Sequence, residues 1–122
     1  MRRPHFEAIV AQALDGLPAD ILDAMENLDV VVEDEPDEET REEFGLADDE
    51  TLYGAYRGVP LVDRGYSDVP LLPDRIVLYQ GPLEEDFSRR QDLIEEIRRT
   101  VVHEVAHYLG MDEDQIEELG YG

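Results

Sequence analysis

The sequence contains no cysteine, which excludes disulfides, Cys-ligated zinc, iron–sulfur clusters and thiol nucleophiles. It also contains no lysine: all ten strong bases are Arg, so Schiff-base and P-loop lysine chemistry are excluded. Positive charge is scarce, with 10 Arg against 32 Asp and Glu, a formal net charge of −22 and a pI near 4.1. A grip on nucleic-acid phosphates needs clustered cations, so no nucleic-acid partner is expected. Attraction to an anionic membrane surface fails for the same reason. Long apolar runs are missing too. Glu7, Gln12 and Asp15 break the stretch after Met1-Arg2-Arg3, where a signal peptide needs an unbroken apolar region, so the chain reads as cytoplasmic. An acid-rich, Lys-free composition suits either a saline cytoplasm, where salt screens the self-repulsion, or a GC-rich genome.

What remains is enough for one modest core. The chain has 122 residues, 42% of them apolar, and reads as a single domain over 1–122. Phe6, Ile9, Val10, Ala13, Leu14 and Leu17 form one stripe of an amphipathic helix, with Pro4 in its first turn and Gly16 and Pro18 at its end. Ile21, Leu22, Met25 and Leu28 mark a second, shorter helix from about Asp20. Asp29 to Glu33 is a Val-rich strand. Residues 33–50 hold eleven acids and one base, Arg41, and are expected to be a solvated loop, since so little apolar surface cannot offset ordering entropy. They do not match an EF-hand, which alternates carboxylates around a central Gly.

Thr51 to Arg57 reads as a strand, turned by Gly58-Val59-Pro60, with Leu61-Val62-Asp63 as a candidate partner strand and 64–74 as loop. Ile76 to Tyr79 is a strand closed by Gly81-Pro82. A long helix is expected from Ser88 to Leu109, stopped by Gly110, and a short one from Met111 to Leu119. The fold class is α/β in the α+β sense.

Within the long helix, His103-Glu104-Val105-Ala106-His107 is an HExxH motif that uses two of the three histidines in the chain. With His103 at 0° on a wheel of about 100° per residue, His107 falls near 40° and Glu104 near 100°. Ile94, Ile97, Val101, Val102, Val105, Tyr108 and Leu109 spread over roughly 120° to 260°, the side that must be buried. Arg98 falls inside that arc and must snorkel or pair. Two neutral imidazoles four residues apart can hold one Zn²⁺, and Glu104 is placed to take a proton from metal-bound water as general base. The competing reading is two exposed helix histidines beside an ordinary surface Glu.

Zinc needs a third protein ligand. His5 lies far away in sequence with no motif around it. After Gly110, which can end the helix and swing the chain back, come Asp112, Glu113 and Asp114. Glu113 occupies the slot in which the HExxHxxGxxH pattern carries its third histidine. Asp112 looks like the N-cap of the last helix, with Gln115 as its capping-box partner and Met111 and Ile116 as the staple. Glu113 is therefore the expected ligand, with Asp112 and Asp114 as alternatives.

From Phe6 to Tyr121 the chain resembles the small bacterial zincin-like metallopeptidases. The resemblance rests on the opening helix ending in Leu17-Pro18, the Val-rich strand into Asp34-Glu35-Pro36, the segment Leu52 to Pro60, the strand Ile76 to Tyr79, and His103 through Tyr121. It implies a minimal zincin-like fold, a small sheet packed on the HExxH helix, one Zn²⁺, and a peptide or unfolded protein as substrate. In that family the motif is usually HExxHxxGxxD, so Asp is the typical third ligand where this chain has Glu113. The resemblance further implies a sheet edge that pairs with substrate, either Ile76 to Tyr79 or Leu52 to Arg57, and an oxyanion-stabilising Tyr among Tyr56, Tyr66, Tyr79 and Tyr121. Two other readings remain. One is a zincin-fold metal-binding or structural protein with little turnover; the other is an acidic module that uses 33–50 to engage a basic partner.

Overall fold

The computed structural model of the protein describes residues 1–58 and 74–120. The candidate strand at Leu61–Asp63, the loop at 64–73, the turn residues Val59 and Pro60, and Tyr66 and Tyr121 lie outside the described residues.

The opening helix forms as its stripe requires. Helix α1 spans Arg3–Asp15 with Pro in its first turn, and buries Phe6, Ile9, Val10 and Ala13. Helix α2, Ala19–Ala24, runs into a 3-10 turn at Met25–Asn27 before strand β1, Asp29–Glu33. Strand β2 is Gly54–Arg57 and β3 is Arg75–Tyr79. The sheet order is β1-β3-β2, with β1 parallel and β2 antiparallel to β3. Alternation along β3 sorts its side chains by face. Ile76 and Leu78 enter the main core with α1 and α5, while Val77 and Tyr79 pack with Ala55 on the other face.

Helix α5, Arg90–Leu109, starts two residues later than the sequence suggested and ends at Leu109 as expected. Gly110 takes φ 74° and ψ 25°, a left-handed conformation that costs glycine little, and Met111 N–H donates to the Ala106 carbonyl at 2.9 Å. The predicted apolar arc is the buried one, except that Leu109 stays half-buried. Full burial of Ile97, Val101 or Val105 is worth about 1.5–3 kcal/mol each, which fixes the rotation of α5 about its axis. Arg98, the misfit in that arc, reaches out along α1: its Nε donates to the Ala13 carbonyl at 2.8 Å, satisfying an end-of-helix acceptor. Helix α6, Glu113–Glu118, carries the foreseen capping box, Asp112 with Gln115.

Two expectations are corrected. The acidic block is not all loop. Helix α3, Glu38–Glu43, forms within it, with the Asp37 carboxylate accepting from Thr40 N–H at 2.8 Å. Two acids in its first turn and Arg41 in its last complement the helix dipole. Thr40 is buried and hydrogen-bonded to the Tyr79 hydroxyl, and Arg57 pairs with Glu43, so α3 is tied to the sheet by contacts that no charge count could show. Nor do Gly81 and Pro82 close β3 into a turn: they sit in the first turn of α4, Gln80–Asp86, where a missing proline N–H costs nothing. Gln80 is buried and bonded to Arg3 Nε at 2.7 Å and to the Met1 carbonyl at 2.8 Å, linking α4 to the start of α1. Among the described residues no helix is long and apolar enough to cross a membrane.

Candidate metal centre

With the apolar side of α5 buried, His103, Glu104 and His107 are left on its open flank. His107 is exposed, its side chain 56% accessible, while Glu104 is only 19% accessible. The difference arises from β2, which runs beside α5. Tyr56 N–H points away from β3 and donates to Glu104 Oε2 at 3.0 Å. The same oxygen lies 3.8 Å from His107 Nδ1, too far for a hydrogen bond and acting through charge. Burial pushes the Glu104 carboxyl above the ordinary glutamate range, an effect opposed by His107, the Tyr56 N–H and His103. A carboxylate moved in that direction is a better proton acceptor near neutral pH.

The close approach of β2 depends on Gly54. A Cβ there would stand 2.7 Å from Thr100 Cγ2 on α5 and 3.0 Å from the Val77 carbonyl oxygen on β3. The Val77 carbonyl belongs to the central strand and has nowhere to move. Gly54→Ala should therefore lift β2 from α5, with a stability loss of about 1–3 kcal/mol, read as a fall in denaturation midpoint. Adding Thr100→Ser, which removes Cγ2, should recover part of the loss. An unchanged midpoint in Gly54→Ala would show that the strand is not wedged there.

The structure brings together three of the four expected site residues. Glu113 stands at the first position of α6, exposed, and among the described residues no group of three or more His, Cys, Asp or Glu is gathered closely enough to hold a metal ion. The donor chemistry of the α5 face, two imidazoles one turn apart with a carboxylate between, fits zinc, with the third donor still to be supplied. Asp112 Oδ1 is engaged by Gln115 N–H at 2.9 Å, which leaves Glu113 and Asp114 the freer acids.

Of the tyrosines, Tyr79 is 1% exposed and packs on the sheet face away from α5, so it is removed from the site. Tyr56 contributes its backbone N–H, while its hydroxyl is buried and its ring packs 5.5 Å from that of Tyr108. The edge expectation is corrected in part. Strand β3 is central and paired on both sides, so only β2 can offer an edge beside α5. Tyr53, which the sequence did not single out, lines an open cleft of about 310 Å³ together with Gly54, Thr100, His103 and Glu104. No sequence motif marks it; its place follows from β2 lying against α5.

The family described as zincin-like metallopeptidase matches residues 25–122, which include the HExxH helix and the whole sheet. The chain belongs to that family. Among solved structures, a conserved hypothetical protein from Thermus thermophilus is similar over 89% of this chain and 94% of its own, with a TM-score of 0.57 and 22% identity. That likeness shows a shared fold. No curated protein matches the chain.

Proposed function

We propose that the protein is a zinc-dependent peptidase that hydrolyses peptide bonds, with His103, His107 and Glu113 as metal ligands and Glu104 as general base. The observation that carries this reading is Glu104, a carboxylate buried beside two imidazoles of its own helix and oriented by the Tyr56 N–H of the neighbouring strand. A surface Glu of no consequence would need neither the burial nor the strand donor. Zinc held there would supply a Lewis acid that polarises the scissile carbonyl and acidifies the attacking water. Glu104 Oε2, fixed by Tyr56, takes the proton from that water and hands it to the leaving amine. His107, close to the same carboxylate, keeps positive character beside it and favours its charged form before attack. The edge of β2 gives an extended substrate a strand to lie along, so the partner is a peptide or an unfolded protein segment.

The reading is tested first by metal analysis of protein purified without chelator or His-tag, where one zinc per chain is expected. Hydrolysis of an unfolded protein should appear with zinc and vanish on chelation. Glu113→Ala should weaken zinc affinity, whereas Glu113→Asp, a shorter carboxylate, should keep most of it. Parent-like zinc binding in Glu113→Ala together with loss in Asp114→Ala would move the third ligand to Asp114. Bound zinc without turnover on any unfolded protein would favour a metal-binding or structural role.

A further inference from the structure

The cleft beside His103 and Glu104 is lined on its α5 side by Glu96 and Arg99 as well. Glu96 lies seven residues before His103 on the same helix, about 10 Å along its axis. Its carboxylate is 20% accessible, and its contact with Arg99 Nε is long, 3.9 Å, with the Arg99 side chain half in solvent. An arginine so placed can swing out of the cleft at little cost, since ion pairs of this kind are worth well under the energy of a buried pair. On the opposite wall the Tyr53 hydroxyl donates to Asp86 of α4. The cleft mouth is therefore flanked by Glu96 on α5 and Asp86 on α4, with Glu104 at its inner end. Arg99 is the one strong base lining it among the described residues. Beyond Asp86 the surface continues into a second cavity, whose lining includes Glu35, Glu38, Asp49 and Glu50.

Resting on the peptidase reading above, the geometry points to a subsite for a cationic side chain, Arg or Lys, of the peptide substrate, with Glu96 as the residue that selects it. A half-buried carboxylate has lost much of its water and regains the most from a charged donor brought to it. Its burial is evident in its titration: desolvation pushes the Glu96 carboxyl up, against the opposing charges of Arg99 and His103. The same corner holds the Tyr53 proton tightly, its pKa pushed up to about 12 by the hydrogen bond to Asp86, by burial, and by the charges of Asp86 and Glu96. A negative substrate side chain meets Glu96, Asp86 and Glu104 together and is rejected. An extended peptide advances about 3.3 Å per residue, so the cation belongs two to three residues from the bond that is cut.

The test uses zinc-loaded protein and a set of fluorogenic peptides alike except for one residue, Lys, Arg, norleucine or Glu, placed in turn at each of the three positions on either side of the scissile bond. At one of these positions Lys and Arg should be preferred over norleucine by about tenfold or more in kcat/KM, and Glu should be poorest. Glu96→Gln should bring the Lys-to-norleucine ratio close to one, and Glu96→Arg should reverse the order of Lys and Glu. Glu95→Gln, the same charge change at the exposed neighbour, should leave the ratio alone. A parent enzyme with no cationic preference, or a preference that survives Glu96→Gln, overturns the subsite and leaves the peptidase reading intact. Binding of the labelled Lys and norleucine peptides to Glu104→Gln protein, by fluorescence anisotropy, separates the remaining cases. A Lys preference there, lost on adding Glu96→Gln, supports the subsite even if the parent cleaves nothing and the peptidase reading fails. Equal binding of the two peptides counts against it.

Discussion

Glu104→Gln is expected to cut peptide hydrolysis by about 10²–10⁴-fold, the usual worth of a positioned general base, while zinc content stays at the parent level. Gln has almost the shape of Glu and keeps an oxygen that can accept the Tyr56 N–H bond seen at 3.0 Å, so β2 should stay in place. What the amide lacks is the ability to take a proton from water. The same change relieves a cost: a carboxylate that burial holds above its ordinary range is replaced by a neutral group. Denaturation midpoints near neutral pH should therefore be equal to or slightly above the parent's, a result that rules out misfolding as the cause of lost activity. A Glu104→Gln protein that still hydrolyses peptides within a few-fold of the parent would remove Glu104 from the chemistry.

His103→Ala and His107→Ala should each abolish stoichiometric zinc. Loss of a supporting group that merely orients a ligand costs 10–100-fold in affinity, and loss of the ligand itself should exceed that. Neither change touches the core. His107 is exposed and His103 half-buried, while the residues that hold α5 in place, Ile97, Val101, Val102 and Val105, lie on its other side. The metal-free variants should then keep the parent's helical circular dichroism and unfold close to the metal-free parent. Zinc retained at parent level in both variants would end the metal-centre reading, and with it the role given to Glu113.

The parts of the fold that were legible from sequence are those governed by a period or a local cap. The apolar stripe of α1, the buried arc of α5, the glycine stop at Gly110 and the Asp112 capping box each depend on residues within about one or two turns of each other. Helix α3 and helix α4 were missed for a common reason. Each is six or seven residues long, too short to carry a period, and each is held by distant partners: Thr40 with Tyr79 and Glu43 with Arg57 in one case, Gln80 with Arg3 in the other. Arg98 shows the opposite case. The wheel marked it as anomalous, but only the position of α1 supplied the Ala13 carbonyl that resolves it.

The site divides along the same line. Spacing on one rigid helix was enough to place two imidazoles and a carboxylate on a shared flank, because the turn of an α-helix is set by backbone geometry alone. Spacing could not say that β2 is the edge strand, that Gly54 lets it approach Thr100, or that its Tyr56 N–H meets Glu104; these depend on strand order and on packing across 48 residues of sequence. It could not find Tyr53 or the cleft with Glu96 and Asp86, whose walls come from three separate elements. The sequence by itself determined which chemistry α5 can present. The tertiary structure decided what faces it, because contacts between elements are set by the burial of all of them together and not by the residues of any one.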